Sequence, residues 1–357
     1  GSGNNRVSLL NTGNKQLTWI ERDELNVGME ATLFQHRLMI TANIFQSIRS
    51  NELARLDDFY PAYLGGETFI PVENYEQHTI KGFEAGLNFN DVRGELSYNI
   101  GLNIVNYNST YDIVNEPDYG DGNEHRQREG KDYDTRWGMI AEGFYTEEEI
   151  QMINDPADET LHAPSFGEVF PGDIKYRDIN GDGVIDLNDI TGIGNWHPAF
   201  DYVLSLNLSY RNFDFFTYLR AQTGAYVFDN GPYYWVYGQR KYPAHITNRW
   251  AYYTDPQGNL IDTRETATYP RLTTGDSQNN FRASTQWLRS NDFLEIPLIQ
   301  VGYNFSSIAK KWSMEELGIY LRITNPLTIS PENEKRLLNV GGPPKFRSYS
   351  VGIKASL

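Results

Sequence analysis

Apolar and polar positions alternate along much of the chain. Leu25, Val27, Met29, Ala31 and Leu33 are interleaved with Asn26, Gly28, Glu30 and Thr32, the period of two of a strand with one apolar and one polar face. A tight turn at Gln35 and His36 leads into Leu38, Ile40, Ala42 and Ile44, so the two runs predict an antiparallel hairpin. Residues 79–90 and 95–106 repeat the pattern, with Leu96, Tyr98, Ile100, Leu102 and Ile104 on one face. Phe200, Tyr202, Leu204, Leu206, Leu208 and Tyr210 oppose Asp201, Ser205, Asn207 and Ser209, and Arg211 and Asn212 turn the chain into a strand over 213–225. Three more strands are expected at 292–306, 317–325 and 346–357. With one over 137–145, the total is about ten, nearly all antiparallel to their neighbours.

The connections differ by side. Those near 34–37, 91–95 and 211–212 are short, whereas 107–135 and 226–283 are long and irregular. Residues 115–131 are too polar for a core and read as an exposed loop. Thr146 with Glu149 three residues later has the capping-box spacing and predicts a short helix over 146–153. Any single strand fits a soluble sandwich, which has no need of this asymmetry. Taken together they fit an all-β fold, an antiparallel transmembrane β-barrel with short turns on one side and long extracellular loops on the other. No run approaches the roughly twenty apolar residues of a membrane helix, which says nothing against barrel strands.

Composition narrows the partners. Aromatic residues make up 14% of the 357, with 24 Tyr, as interfacial girdles or sugar-stacking surfaces require. A formal charge of −16 argues against nucleic acid. The absence of cysteine excludes disulfides and thiolate chemistry. The histidines (36, 78, 125, 162, 197 and 245) have no ligand spacing, and no nucleophile elbow, phosphate loop or zinc-protease motif is present, so no enzyme is expected.

One stretch carries specific chemistry. From Asp178 the oxygens fall at the spacing of a twelve-residue calcium loop: Asp178, Asn180 and Asp182 at positions one, three and five, Gly183 at the sharp turn, then Val184 through its carbonyl, Asp186 and Asp189. Ile185 is the apolar eighth residue. The alternative is a metal-free cluster of Asn, Gly and Asp turns. A single Ca²⁺ with a structural role is expected within an EF-hand-like loop over 172–194. A second stretch, 226–237 continuing to 250–253, is dense in rings. Tyr233, Tyr234, Trp235, Tyr237 and Trp250 are candidates for substrate or partner contact, against the plainer reading that they pack the loop together.

The run Gly172-Asp173-Ile174-Lys175-Tyr176-Arg177-Asp178 through Asp186 resembles the SusC/RagA family of TonB-dependent outer-membrane transporters. So do Leu17-Thr18-Trp19-Ile20-Glu21, Thr268-Tyr269-Pro270-Arg271-Leu272, Asn279-Asn280, Trp287 to Leu294, Arg322 to Leu327 and the ending Tyr349 to Leu357. Leu357 departs from the phenylalanine with which the family usually ends. The resemblance implies the C-terminal portion, residues 1–357, of a larger barrel of about 22 strands, with the N-terminal plug and TonB contact outside this chain. It also implies an outer-membrane location of Gram-negative type, membrane lipid around the strands, import of oligosaccharides or peptides, and a SusD-like lipoprotein lid. The competing reading is a secreted or surface calcium-stabilised β-sandwich that binds glycans.

Overall fold

The computed structural model describes residues 12–56, 60, 69–155, 161 and 163–356. Leu357 and His162 lie outside them. In chain order the elements are β1 (Glu21–Leu33), β2 (Leu38–Arg55), β3 (Val72–Arg93), β4 (Leu96–Ile113), β5 (Thr135–Gly138), β6 (Ala141–Phe144) and α1 (Glu147–Asn154). Then come β7 (Ile174–Tyr176), β8 (Thr191–Asn195), β9 (Phe200–Tyr210), β10 (Phe213–Thr223), β11 (Tyr226–Phe228), β12 (Tyr252–Thr254), β13 (Leu260–Asp262) and β14 (Leu288–Ser290). The last are β15 (Phe293–Asn304), α2 (Ser306–Lys311), β16 (Glu316–Ile329), α3 (Asn333–Leu338) and β17 (Ser348–Ser356).

One large antiparallel sheet dominates, in the order β1-β2-β3-β4-β9-β10-β15-β16-β17, which is chain order throughout. Cross-strand partners share a face, so the register defines both surfaces. Ile100, Leu206, Thr217, Ile299, Ile323 and Tyr349 form one row, and Tyr98, Leu208, Phe215, Val301, Leu321 and Val351 the next. On the opposite face the matching row is Asn99, Asn207, Phe216, Gln300, Arg322 and Ser350. The apolar face stands bare: Ile100, Leu204, Val301, Leu321, Val351 and Ile353 are all exposed. Among the described residues the other sheets are four two-stranded ones, all inside the long connections. The sandwich reading needed a second sheet over these leucines.

Several turns land as expected. Tyr210 pairs Phe213 across Arg211 and Asn212, with Arg211 left-handed at φ 55°. Thr146 caps α1, accepting from the Glu149 N–H while the Glu149 carboxylate accepts from the Thr146 N–H. Two expectations are corrected. The sheet holds nine strands, not about ten, because residues 137–145 do not join it. They fall in β5 and β6, which pair β8 and β7, and Met139 between them is fully buried in the loop core. Alternation marks a strand without saying which sheet receives it. β3 and β4 also run beyond 79–90 and 95–106, because polar residues continue the ladder there: Thr79 Oγ1 donates to Asp112 at 2.5 Å and Gln77 Nε2 donates to the same carboxylate at 3.1 Å.

The core lies elsewhere. Among the described residues the largest fully buried side chains are Met139, Ile174, Val236, Asn280, Asp173, Asp189, Pro270 and Ser284, none of them in the nine-stranded sheet. All sit in the β4–β9 and β10–β15 connections. The nine-stranded sheet is a surface, and the packed interior is made by its loops.

Candidate functional site

The two long connections lock together at one end of the sheet. Met139, Ile174, Tyr176 and Ile185 from the first pack with Val236, Ile246, Tyr269 and Trp287 from the second. The polar groups this buries are answered in pairs, as they must be away from water. Asp173 accepts from Arg271 at 2.7 and 3.1 Å and from Asn280 Nδ2 at 2.7 Å. Asn280 Oδ1 accepts from the Ile174 N–H, and Trp287 Nε1 donates to the Asn280 carbonyl. Tyr269 donates its hydroxyl proton to the Tyr234 carbonyl while accepting from the Val236 N–H. Burial pushes the Tyr145, Tyr234 and Tyr269 hydroxyls up to about 12, so each remains protonated.

The loop over 172–194 is anchored in this core by Ile174 and Tyr176 at its start and by Ile185 further on. Gly183 takes the left-handed conformation at φ 83°, at the position where the spacing demands a sharp turn. Asp178 accepts from the Gly181 and Gly183 N–H groups at 2.7 and 2.8 Å, and Asn180 Oδ1 from Asp182 at 3.1 Å. Asp182 accepts from Val184 at 2.8 Å, and Asp186 from Asn188 at 2.6 Å. Asp189 accepts from Ile179 and Asp186 at 2.7 and 2.8 Å. Among the described residues no three Asp, Glu or His side chains converge as around an ion. Burial raises the Asp189 carboxyl above its usual range; the Asp186 and Ile179 N–H bonds oppose this, and the Asp178 and Asp186 charges add to it.

The candidate rings separate by position. Tyr234 is buried, and Trp235 stacks on Phe281 and meets Trp287 edge-on. Tyr237 also packs on Phe281 and carries Arg240, 4.0 Å over its ring centre. Trp250 covers Gly172, whose φ of 88° suits glycine and where a Cβ would lie 2.5 Å from the indole. Tyr233 and Tyr234 line a cavity of about 460 Å³ between the β10–β15 and β16–β17 connections, together with Arg289, Lys335, Arg336 and Lys345. The basic members of that cavity were not among the sequence candidates. Their signal was three bases within 335–345 of an acidic chain.

No family model matches the chain. The TonB-dependent receptor P26 of Formosa agariphila is 25% identical over 387 residues, taking in 98% of this chain and 36% of that protein. The TonB-dependent receptor P3 of the same organism is 22% identical over 98% of this chain and 35% of its own length. The RagAB peptide importer in its open-open state matches in fold with a TM-score of 0.66, at 16% identity, over 98% of this chain and 36% of that one. In sequence the chain is similar to a stretch of TonB-dependent receptors, and in fold to a segment of the RagAB importer's barrel. It spans about a third of the length of the relatives it matches. By name these relatives and neighbours are receptors and importers, and none is named as an enzyme. In such a barrel segment the interlocked connections stand at the end where the sheet carries its long loops.

Proposed function

We propose that this barrel segment belongs to an outer-membrane importer of oligosaccharides or peptides, driven through TonB, crossing the membrane strand by strand and working with a SusD-like surface lipoprotein as a lid. The observation that carries the reading is the bare apolar face across the nine strands, backed by a polar face and continued on one side only by long interlocked loops. Apolar residues left uncovered over such an area need a non-aqueous neighbour, and lipid outside with a polar lumen inside supplies one. Tyr202 and Tyr210 then lie near opposite interfaces. Peptides as cargo draw support from the RagAB importer, and the lid from the family resemblance.

In the same reading the loop over 172–194 binds one Ca²⁺ through Asp178, Asn180, Asp182, the Val184 carbonyl, Asp186 and Asp189. Support comes from the ligand spacing, the left-handed Gly183 and the like charges crowded around Asp189. Binding turns the outer carboxylates inward from their backbone N–H partners and leaves the Ile185 anchor in place. The ion orders the loop and has no part in chemistry.

The test is fractionation and uptake with the full-length transporter in its native cells. It should partition with outer-membrane detergent extracts, and deleting it should abolish uptake of at least one labelled oligosaccharide or peptide in a TonB-dependent way. Recovery as a soluble protein without detergent would return the sandwich reading.

A further inference from the structure

The cavity between the β10–β15 and β16–β17 connections has a charge arrangement that the locking of the loops does not require. Two acids stand at it, Asp229 in the lining and Glu295 behind the lining residues Arg336 and Lys345, each already matched by an arginine. Asp229 accepts from Arg289 at 2.7 Å, and Glu295 accepts from Arg336 at 2.9 Å. These arginines are the deep pair, with side chains 16% and 13% exposed. Each acid then carries a second cation. Lys335 lies 3.1 Å from Asp229, and Lys345 contacts Glu295. The lysines are the more exposed pair, at 37% and 31%. Glu332 lies 3.4 Å from Lys335 and shares part of its charge. Lys345 has no such second acid among the described residues. In a chain of formal charge −16 this is a local positive excess inside a concave, aromatic-walled space.

Donor capacity is also in surplus. Arg289 gives its Nε proton to Asp229, and Arg336 gives Nε to Glu295 and one terminal nitrogen to Asn291 at 2.9 Å. A guanidinium has five N–H donors and an ammonium three, so several remain beyond these bonds. Tyr234 and Phe293 provide ring faces beneath Lys335 and Arg336, which keeps the cations in place. Arginine and lysine converging on one cavity suit a carboxylate, which accepts two parallel N–H bonds from the fork and a point contact from each ammonium.

We propose that this cavity holds a carboxylate of the transported solute, with Lys335 and Lys345 as its outer ligands and Tyr233 and Tyr234 as the wall for the apolar part of the same molecule. This deepens the transport reading and rests on it. A peptide C-terminus and an acidic sugar share the chemistry.

The experiment uses purified full-length transporter in detergent and four probes. One pair is an N-acetylated octapeptide with a free C-terminal carboxylate and its C-terminal amide. The other is a hexasaccharide of galacturonic acid and its methyl ester. Affinities are measured for the wild type and for the double variant Lys335→Gln, Lys345→Gln, in which each acid keeps its arginine and the fold is retained. In the wild type one acidic probe should bind at least about tenfold tighter than its neutral partner. That preference should weaken with added salt. The double variant should lose it while holding the neutral partner unchanged. The pair that responds identifies the source of the carboxylate. Equal affinity for acidic and neutral probes in the wild type overturns the proposal and leaves transport intact, as does a preference that survives in the double variant. Binding of none of the four probes, with no uptake by cells, counts against the transport reading and removes this proposal with it.

Discussion

The Arg271 guanidinium holds the buried Asp173 carboxylate with bonds of 2.7 and 3.1 Å, joining positions 98 residues apart in two different connections. Its removal should be felt in the loops and not in the wall. Arg271→Ala leaves Asp173 with only Asn280 and the Phe170 N–H for partners. The expected cost is about 3 kcal/mol, the low end for breaking a buried pair, since these bonds survive. Hydrogen exchange should show faster opening of 164–199 and 225–292 with the sheet strands unaffected. Uniform protection would mean that the apolar contacts alone hold the lock.

The two faces of β9 predict opposite tolerances. Leu206→Lys places a charge in the middle of the apolar face and should cost about 2–4 kcal/mol of barrel stability. Asn207→Lys, one residue on, faces the polar side and should be nearly neutral. Heat-modifiable migration on gels compares the folded fraction of both. Equal losses would contradict a lipid-facing leucine row.

Asp178→Ala should loosen 172–194 and leave the strands intact, because the aspartate ties both Gly181 and Gly183. In the wild type, a calcium chelator should produce the same local increase in hydrogen exchange. An exchange pattern indifferent to the chelator would leave the loop held by its own turns.

His245 makes the loop region sensitive to acid. Its Nε2 is buried with no hydrogen-bond partner among the described residues, and it packs among Tyr233, Tyr234 and Tyr269. Burial holds its pKa below the usual value, Lys335 adds to this and Asp229 opposes it. The unfolded ring gains its proton at about 6.5 while the folded ring stays neutral. Stability is therefore full above that pH and is lost as pH falls through it towards the lower folded value. Proteolysis within 226–253 should be faster at pH 5.5 than at 7.5, and His245→Phe should flatten the difference. Equal rates in the wild type would refute this.

Local signals in the sequence were legible where the cause was local. The Arg211 and Asn212 turn, the Thr146 cap and the leucine row of β9 depend on neighbours a few residues away. The destination of residues 137–145 was not legible, since Met139 finds its partners at 283–285 and nothing nearby announces them. The same distance hid Asp173, whose partners Arg271 and Asn280 stood out only by family likeness. Trp235 shows a different limit. Its ring needs a contact in either reading, and the sequence does not say whether that contact is a solute or Phe281. Lys335 and Lys345 were overlooked because the whole-chain charge is acidic, which masks a small cluster of opposite sign.

Because the sheet follows chain order without a crossover, every strand meets its neighbour as soon as it is delivered to the growing edge. The loop lock is on another clock. Asp173 and Ile174 are made about a hundred residues before Arg271 and Asn280, so the first connection has to wait, with Met139 and Ile174 unpartnered, until the second has been threaded past β10. Apart from β4 with β9 and β10 with β15, which close over the two long connections, the wall can thus be laid from neighbouring strands at low loop-closure cost, while the loop lock sets in a single late step. A chain stalled after β10 would present the first six strands of the wall under an adhesive, half-built roof, the state in which it is most exposed to chaperones and proteases.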